Sequence, residues 1–151
     1  MTSRAAAHPL PPGTSPLDRV LGLLRALETG GAAALDPFLA PGYVLTEAPS
    51  LLAPQGSVRT RSEVLAGAER SGEVVVGQRF EVRRSTCEAG RVVVEADWSA
   101  VLQLGLPYWD AGEEIRASTV AVFEVRDGLV TSQHSYDCYH RPDEPGPTAT
   151  A

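Results

Sequence analysis

The 151-residue chain has little cysteine. Cys87 and Cys138 could form at most one disulfide, so a fold braced by a disulfide framework is excluded. Both thiols are expected to be small buried hydrophobes in strands. No run approaches the roughly 20 apolar residues a membrane span needs, and no charged start leads into an apolar segment with a small-residue cleavage site. The expected compartment is therefore the cytoplasm, with no membrane contact. Positive charge is also scarce: 13 Lys and Arg stand against 19 Asp and Glu, a formal charge of -6. Such a surface has no electrostatic reason to approach nucleic acid or anionic lipid. A P-loop, a Gly-rich phosphate loop and a nucleophile elbow are all missing, so a nucleotide cofactor has no support and none is expected. His134, Cys138 and His140 share strand parity but have no clustered acid beside them, and no metal site is expected.

What remains is an ordinary globular composition, 43% hydrophobic and 21% charged, long enough for one domain with a real core. The domain is expected over 15–139. Residues 1–14 are rich in Ala and Pro and read as a disordered arm, and residues 140–151 as a Pro-rich disordered tail. Ser15, Pro16 and Asp18 combine a capping hydroxyl, a first-turn proline and an acid at the positive helix end. They start a helix whose stripe is Leu17, Val20, Leu21, Leu24 and Leu27, ending at Gly30-Gly31. A short helix over 32–39 is expected next, unless Pro37 breaks it into turns. A first strand, 43–48, and a short paired strand, 57–59, follow. Thr60 and Glu63 have capping-box spacing and open a third helix over 61–71.

Beyond Gly72 the chain is strands. The runs 74–86 and 91–103 join at Glu88-Ala89-Gly90. In the second run Val94, Ala96, Trp98, Ala100 and Leu102 alternate with Glu95, Asp97, Ser99 and Gln103, which gives a dry and a wet face. The segment GLPYWDAGEE reads as a mobile aromatic loop in which Tyr108 and Trp109 serve as a lid or a partner contact. It leads to a hairpin, IRASTVAVFEV and LVTSQHSYDCY joined by Arg126-Asp127-Gly128. Two registers are open. A two-residue loop sets Ala121 opposite His134 and Thr119 opposite Tyr136. A three-residue loop with a bulge at Gly128 sets Ala121 opposite Gln133 and Ala117 opposite Asp137. Because side chains alternate faces, the choice decides whether His134 or Asp137 points inward.

Helices followed by long antiparallel strands predict an α+β fold in which the sheet curls over the helices and leaves a pocket at its open end. This element order, the segment TEAPSLLAPQGSVRTRSEV and above all AVFEVRDGLVTSQHSYDCY resemble the nuclear transport factor 2-like superfamily, in its SnoaL-like branch, over 16–139. The resemblance implies a cone-shaped roll, three N-terminal helices packed on a curved, mostly antiparallel sheet. It does not carry over a reaction. Where steroid isomerases of this fold place a base before a proline, the chain has Ala48, with Glu47 one place earlier. Ala121 stands where polyketide cyclases carry an aspartate, and Ala96, Trp98 and Ser135 stand where limonene-type epoxide hydrolases carry an arginine and two aspartates.

The resemblance also favours the inward set Gln133, Ser135 and Asp137, beside Thr119, Ala121 and Phe123. His134, Tyr136 and Cys138 would then face outward. Asp137 is the candidate catalytic group, since burial would raise its pKa towards neutrality; the plain alternative is a structural carboxylate bonded to Tyr139, an arginine or backbone amides. Tyr43, Phe80, Trp98, Thr119, Phe123, Gln133 and Ser135 are the candidate ligand-binding residues, with Trp98 able to serve as core and wall at once. The expected partners are a small hydrophobic metabolite and a second copy of the chain, docked through the outer sheet face at Val120, Val122, Val130 and Tyr136. The expected activity is cofactor-independent isomerisation, cyclisation or elimination, with a non-catalytic ligand-binding or accessory module as the alternative.

Overall fold

A computed structural model describes residues 14–143; the arm expected over 1–14, except Thr14, and the tail expected over 140–151, from residue 144 on, lie outside the described residues. The first helix, α1 (Pro16–Thr29), starts as its sequence requires. Ser15 Oγ accepts a hydrogen bond from the Asp18 amide at 3.1 Å, and Pro16 occupies the first turn. Its buried face contains Val20, Leu23, Leu24 and Ala26. Arg19 is buried as well. Its guanidinium lies 4.4 Å above the Phe38 ring and donates to the Pro37 carbonyl, which ties α1 to the turn that follows.

Pro37 does break the second helix, leaving α2 (Ala32–Leu35) and a single 3-10 turn, Asp36–Phe38. The first strand, β1 (Leu39–Glu47), begins four residues earlier than the sequence suggests. Pro41-Gly42 is absorbed where the register with its neighbour shifts between Leu39 and Val44. After β2 (Ser57–Thr60) comes α3 (Arg61–Val74), with both halves of the capping box formed. Gly72 does not end it, since one helical glycine costs only about 1 kcal/mol against alanine.

Four long strands complete the chain: β3 (Val75–Glu88), β4 (Arg91–Leu102), β5 (Glu114–Arg126) and β6 (Leu129–Tyr139). They form one six-stranded sheet in the order β2-β1-β6-β5-β4-β3, antiparallel throughout except for β1 beside β6. The architecture is the expected α+β cone, with three helices against one face of an open sheet. The main core joins Val20, Leu23 and Leu24 of α1 to Leu45, Val92, Val94, Phe123 and Val130 of the sheet. Among the described residues no helix is long and apolar enough to cross a membrane.

Neither expected register runs the length of the hairpin, and the two-residue one holds only next to the turn. Asp127 and Gly128, both at positive φ (50° and 73°), form a two-residue turn that pairs Arg126 with Leu129. The register then slips between Glu124 and Val125, so that Glu124 meets Ser132 while Val125 meets Val130. Thr131 is the extra residue of this bulge, and its hydroxyl donates to the Glu124 carbonyl at 3.2 Å. Beyond it Thr119 faces Asp137, Ala121 faces Ser135 and Phe123 faces Gln133. The inward set is therefore the one favoured above, reached by a bulge instead of a longer loop. The same bulge corrects the place of Val130. It precedes the slip, points into the core and is 0% exposed, so it is not part of the outer face.

A second cluster closes the upper end. Trp109 is only 3% exposed and packs with Ala100, Leu102 and Ile115 against Leu51, Leu52, Trp98 and Tyr139. The aromatic loop is anchored, not loose: Leu106 and Trp109 exchange backbone hydrogen bonds, and Tyr108 takes φ 76° between them. Of the two loop aromatics Tyr108 is the exposed one, under the Arg141 guanidinium at 4.5 Å. Cys87 and Cys138 are free and exposed; the expectation that they are buried is corrected. Cys138 shares the outer face of β6 with Tyr136, and Cys87 lies at the end of β3, where residues 83–88 are all exposed.

Gly56 holds the turn between β1 and β2 at φ +68°, and a Cβ there would sit 2.4 Å from the Glu47 carbonyl oxygen. Gly56→Ala is expected to cost more than about 1 kcal/mol through backbone strain and that clash. Chemical denaturation of the pair checks this, and a variant as stable as the parent would show that the turn relaxes freely.

Candidate active site: a carboxyl in an aromatic cavity

A cavity of about 310 Å³ lies between the helices and the inner face of the sheet. Leu23, Leu24 and Leu27 of α1 and Val64 and Ala68 of α3 form one side. The other side is built by strand parity. On β1, Tyr43, Leu45 and Glu47 face inward, and on β6 Gln133, Ser135, Asp137 and Tyr139 do the same. Ladder pairing aligns them into rows, with Phe80, Trp98, Ala117 and Tyr139 in one and Ala96, Thr119 and Asp137 in the next. All eight residues proposed from the sequence line this cavity.

Most of the polar groups there are engaged with one another. The Tyr43 hydroxyl donates to Gln133 Oε1 at 3.0 Å, and Gln133 Nε2 donates to Ser135 Oγ at 2.9 Å. Thr119 Oγ1 donates to the Ala96 carbonyl, and Trp98 Nε1 to Gln78 Oε1 at 3.2 Å. Glu47 is held by two donors, Ser57 Oγ at 2.5 Å and Arg59 Nη2 at 2.9 Å. Asp137 differs from all of these. Its carboxyl makes no hydrogen bond or ion pair with any described residue, so the structural partners considered for it from the sequence do not hold it.

Burial raises the Asp137 pKa above its ordinary 3.8, and the nearby Glu47 carboxylate raises it further. Burial likewise pushes the Tyr139 phenol up to about 12, helped by Asp137 and Glu47, and the Tyr43 phenol is raised mainly by burial. The site therefore offers a carboxyl whose burial favours its neutral form, beside a second carboxylate that a guanidinium and a hydroxyl hold in place. That combination can give or take a proton in a desolvated space. Trp98 is both wall and core, stacked edge-on to Tyr139 at 6.3 Å between centroids.

Among the lining residues that escaped the sequence reading are four large polar ones, Glu47, Arg59, Gln78 and Tyr139. Three had a signal in strand parity. Glu47 lies four residues from Tyr43, Gln78 two from Phe80, and Tyr139 two from Asp137, each sharing the face of a residue already proposed. Arg59 enters because β2 pairs with β1, which sets Arg59 opposite Leu45 and next to Glu47. His134 faces outward and stacks on Tyr136 at 4.7 Å, and His140 contacts Ser118. Among the described residues no three His, Cys, Asp or Glu side chains cluster in a way that could hold a metal ion.

The raised pKa has a consequence for stability. The folded state holds the Asp137 proton more tightly than the unfolded chain, so this contribution is complete below the ordinary value of 3.8 and is lost as pH rises through the higher folded value. Asp137→Asn removes that loss. The variant should gain stability relative to the parent as pH rises from the acid range towards neutrality, measured by denaturant unfolding at stepped pH. A difference independent of pH would show that the carboxyl is as well solvated in the fold as out of it.

The family model described as the SnoaL-like domain matches residues 20–133. No curated protein matches the chain. Among solved structures it is similar to IdmH, a candidate polyketide cyclase from Streptomyces antibioticus, at 17% identity and a TM-score of 0.68, covering 82% of this chain and 91% of the other. A SnoaL-like candidate polyketide cyclase from Shewanella denitrificans matches at 17% identity and 0.66, covering 81% and 89%. An LEH-like epoxide hydrolase from M. tuberculosis matches at 20% identity and 0.65, covering 84% and 85%. At such identities the likeness is one of fold, and the reactions named belong to those proteins. The family match spans most of the chain and the cone agrees with it: this protein belongs to the SnoaL-like domain family, within the nuclear transport factor 2-like fold.

Proposed function

We propose that this chain binds a small, mostly apolar metabolite in the cone and carries out acid/base chemistry on it, an isomerisation, cyclisation or dehydration that draws on its own side chains. Asp137 is the proton carrier, and Tyr43, Phe80, Trp98, Thr119, Phe123, Gln133 and Ser135 hold the substrate. The observation that supports this reading is the Asp137 carboxyl, without a partner among the described residues, in a cavity whose other polar groups are engaged with one another and whose remaining walls are aromatic and aliphatic. Perturbed titratable groups in enclosed pockets are the usual mark of proton-transfer sites. Several of the named relatives are described as cyclases or a hydrolase, which agrees with a reaction on a small molecule.

A second reading, a ligand-binding or accessory module without turnover, is favoured by one observation. Ala121 lines the cavity where related cyclases carry an aspartate, so Asp137 would have to act from a different position. Asp137→Asn separates the two. If Asp137 carries the proton, turnover of a substrate found by screening should disappear, while affinity for an uncharged apolar probe stays within about tenfold. Undiminished turnover would remove Asp137 from the mechanism.

The protein is further proposed to work as a homodimer through the outer sheet face. Val122 lies there beside His134, and Val120 beside Tyr136, which is 45% exposed; Val44 and the exposed Val58 extend the apolar surface towards the β2 edge. An apolar sheet centre of this kind is costly to leave in water. The free, exposed Cys87 and Cys138 agree with a reducing compartment such as the cytoplasm. Val122→Arg should give monomer or insoluble protein by analytical ultracentrifugation, and a parent protein that is already monomeric at micromolar concentration would refute the interface.

A further inference from the structure

The charge inventory of the cavity narrows the ligand, on the reading above that a small apolar metabolite occupies it. The ionisable residues that line it are Tyr43, Glu47, Arg59, Asp137 and Tyr139, two carboxyls, one guanidinium and two phenols. The guanidinium is already committed, since Arg59 Nη2 lies 2.9 Å from Glu47 Oε1 and the Ser57 hydroxyl holds the other oxygen of that carboxylate. Among the described residues, no cation faces Asp137 from any element. The lining residues of α1 and α3 are aliphatic or small, with Ser71 the one polar side chain among them and its hydroxyl donating to the Ala68 carbonyl; those of β3, β4 and β5 are uncharged. Tyr139 lies two residues from Asp137 on the same face of β6, and Trp98 meets it edge-on at 6.3 Å in the adjoining row; the faces of such rings attract cations.

From this arrangement we propose that the ligand carries a single basic nitrogen on an apolar frame, and that its ammonium group pairs with Asp137 inside the cavity. The pairing supplies the one charge the cavity lacks. An anionic ligand would meet two carboxyls with the only guanidinium already engaged, and a desolvated like-charge contact is strongly disfavoured. A neutral ligand is accommodated with Asp137 protonated, and gains the apolar contact alone. A bound ammonium instead holds Asp137 as the carboxylate, the form that accepts a proton from the ligand. Affinity for an amine should therefore rise with pH through the titration of Asp137, which burial and Glu47 have moved upward, and fall again only where the amine itself loses its proton.

Three probes that share a phenylethyl frame test the inference on the intact protein: 2-phenylethylamine, 2-phenylethanol and 3-phenylpropionate, titrated by NMR at neutral pH. The amine should bind at least about tenfold more tightly than the alcohol, and the carboxylate more weakly than both. Asp137→Asn should bring the amine down to the level of the alcohol and leave the alcohol within about threefold. Glu47→Gln gives an independent check, because it frees Arg59 to face Asp137. The amine advantage should shrink there too, with the alcohol again unaffected. If the alcohol or the carboxylate binds as well as the amine, or if both variants keep the amine preference, the inference is overturned while the apolar pocket stands. If none of the three binds, the pocket reading itself fails and takes the inference with it.

Discussion

One backbone slip governs the arrangement of this protein. The turn at Asp127-Gly128 taken alone would place residues of odd and even number on opposite faces along β5 and β6, with His134 turned towards the helices. Thr131 inserts a single residue into β6 and reverses that parity beyond it. Val130, before the slip, and Gln133, Ser135 and Asp137, after it, consequently all point inward. Without the bulge, a histidine and an exposed tyrosine would stand in the cavity and the carboxyl would stand on the outer surface. The bulge thus lets a β6 that begins in the apolar core end in a polar site.

That polar end is affordable because nearly all of its groups satisfy one another. The chain Tyr43 to Gln133 to Ser135 crosses from β1 to β6, and the Glu47, Ser57 and Arg59 set closes the β1–β2 edge. Buried hydrogen-bonding groups without partners are costly, so such mutual bonding lowers the cost of placing polar side chains in the cavity wall. The carboxyl of Asp137 is the exception, and exceptions of this kind gather where a protein meets a ligand. Trp98 and Tyr139 connect the site to the second cluster under Trp109, so the walls of the cavity are rigidified by the same aromatic residues that close its upper end.

Much of the fold was legible in the sequence because it depends on neighbours along the chain. Ser15 capping α1, the Thr60–Glu63 box, the break at Pro37 and the alternation of β4 each rest on contacts within a few residues, and each occurs as its local chemistry requires. The candidate site was legible in part. Parity joined Asp137 to Ser135 and Gln133, and would equally have joined Tyr139 to Asp137 and Glu47 to Tyr43. Trp109 and Val130 were misplaced because an aromatic in a polar loop, or a valine beside a turn, says nothing about which distant surface will receive it.

By itself the sequence determined the order and type of the elements, their caps, the two hairpins and the alternation of faces, since these follow from backbone sterics and from hydrogen bonds of short range. Tertiary structure alone decided the rest. Tyr43 and Gln133 are 90 residues apart in sequence and 3.0 Å apart in space, and the Glu47 that raises Asp137 reaches it only through the parallel pairing of β1 with β6. Charge interactions depend on distance through space and on the loss of solvent, and the separation of two residues along a chain carries neither until the sheet has closed over the helices.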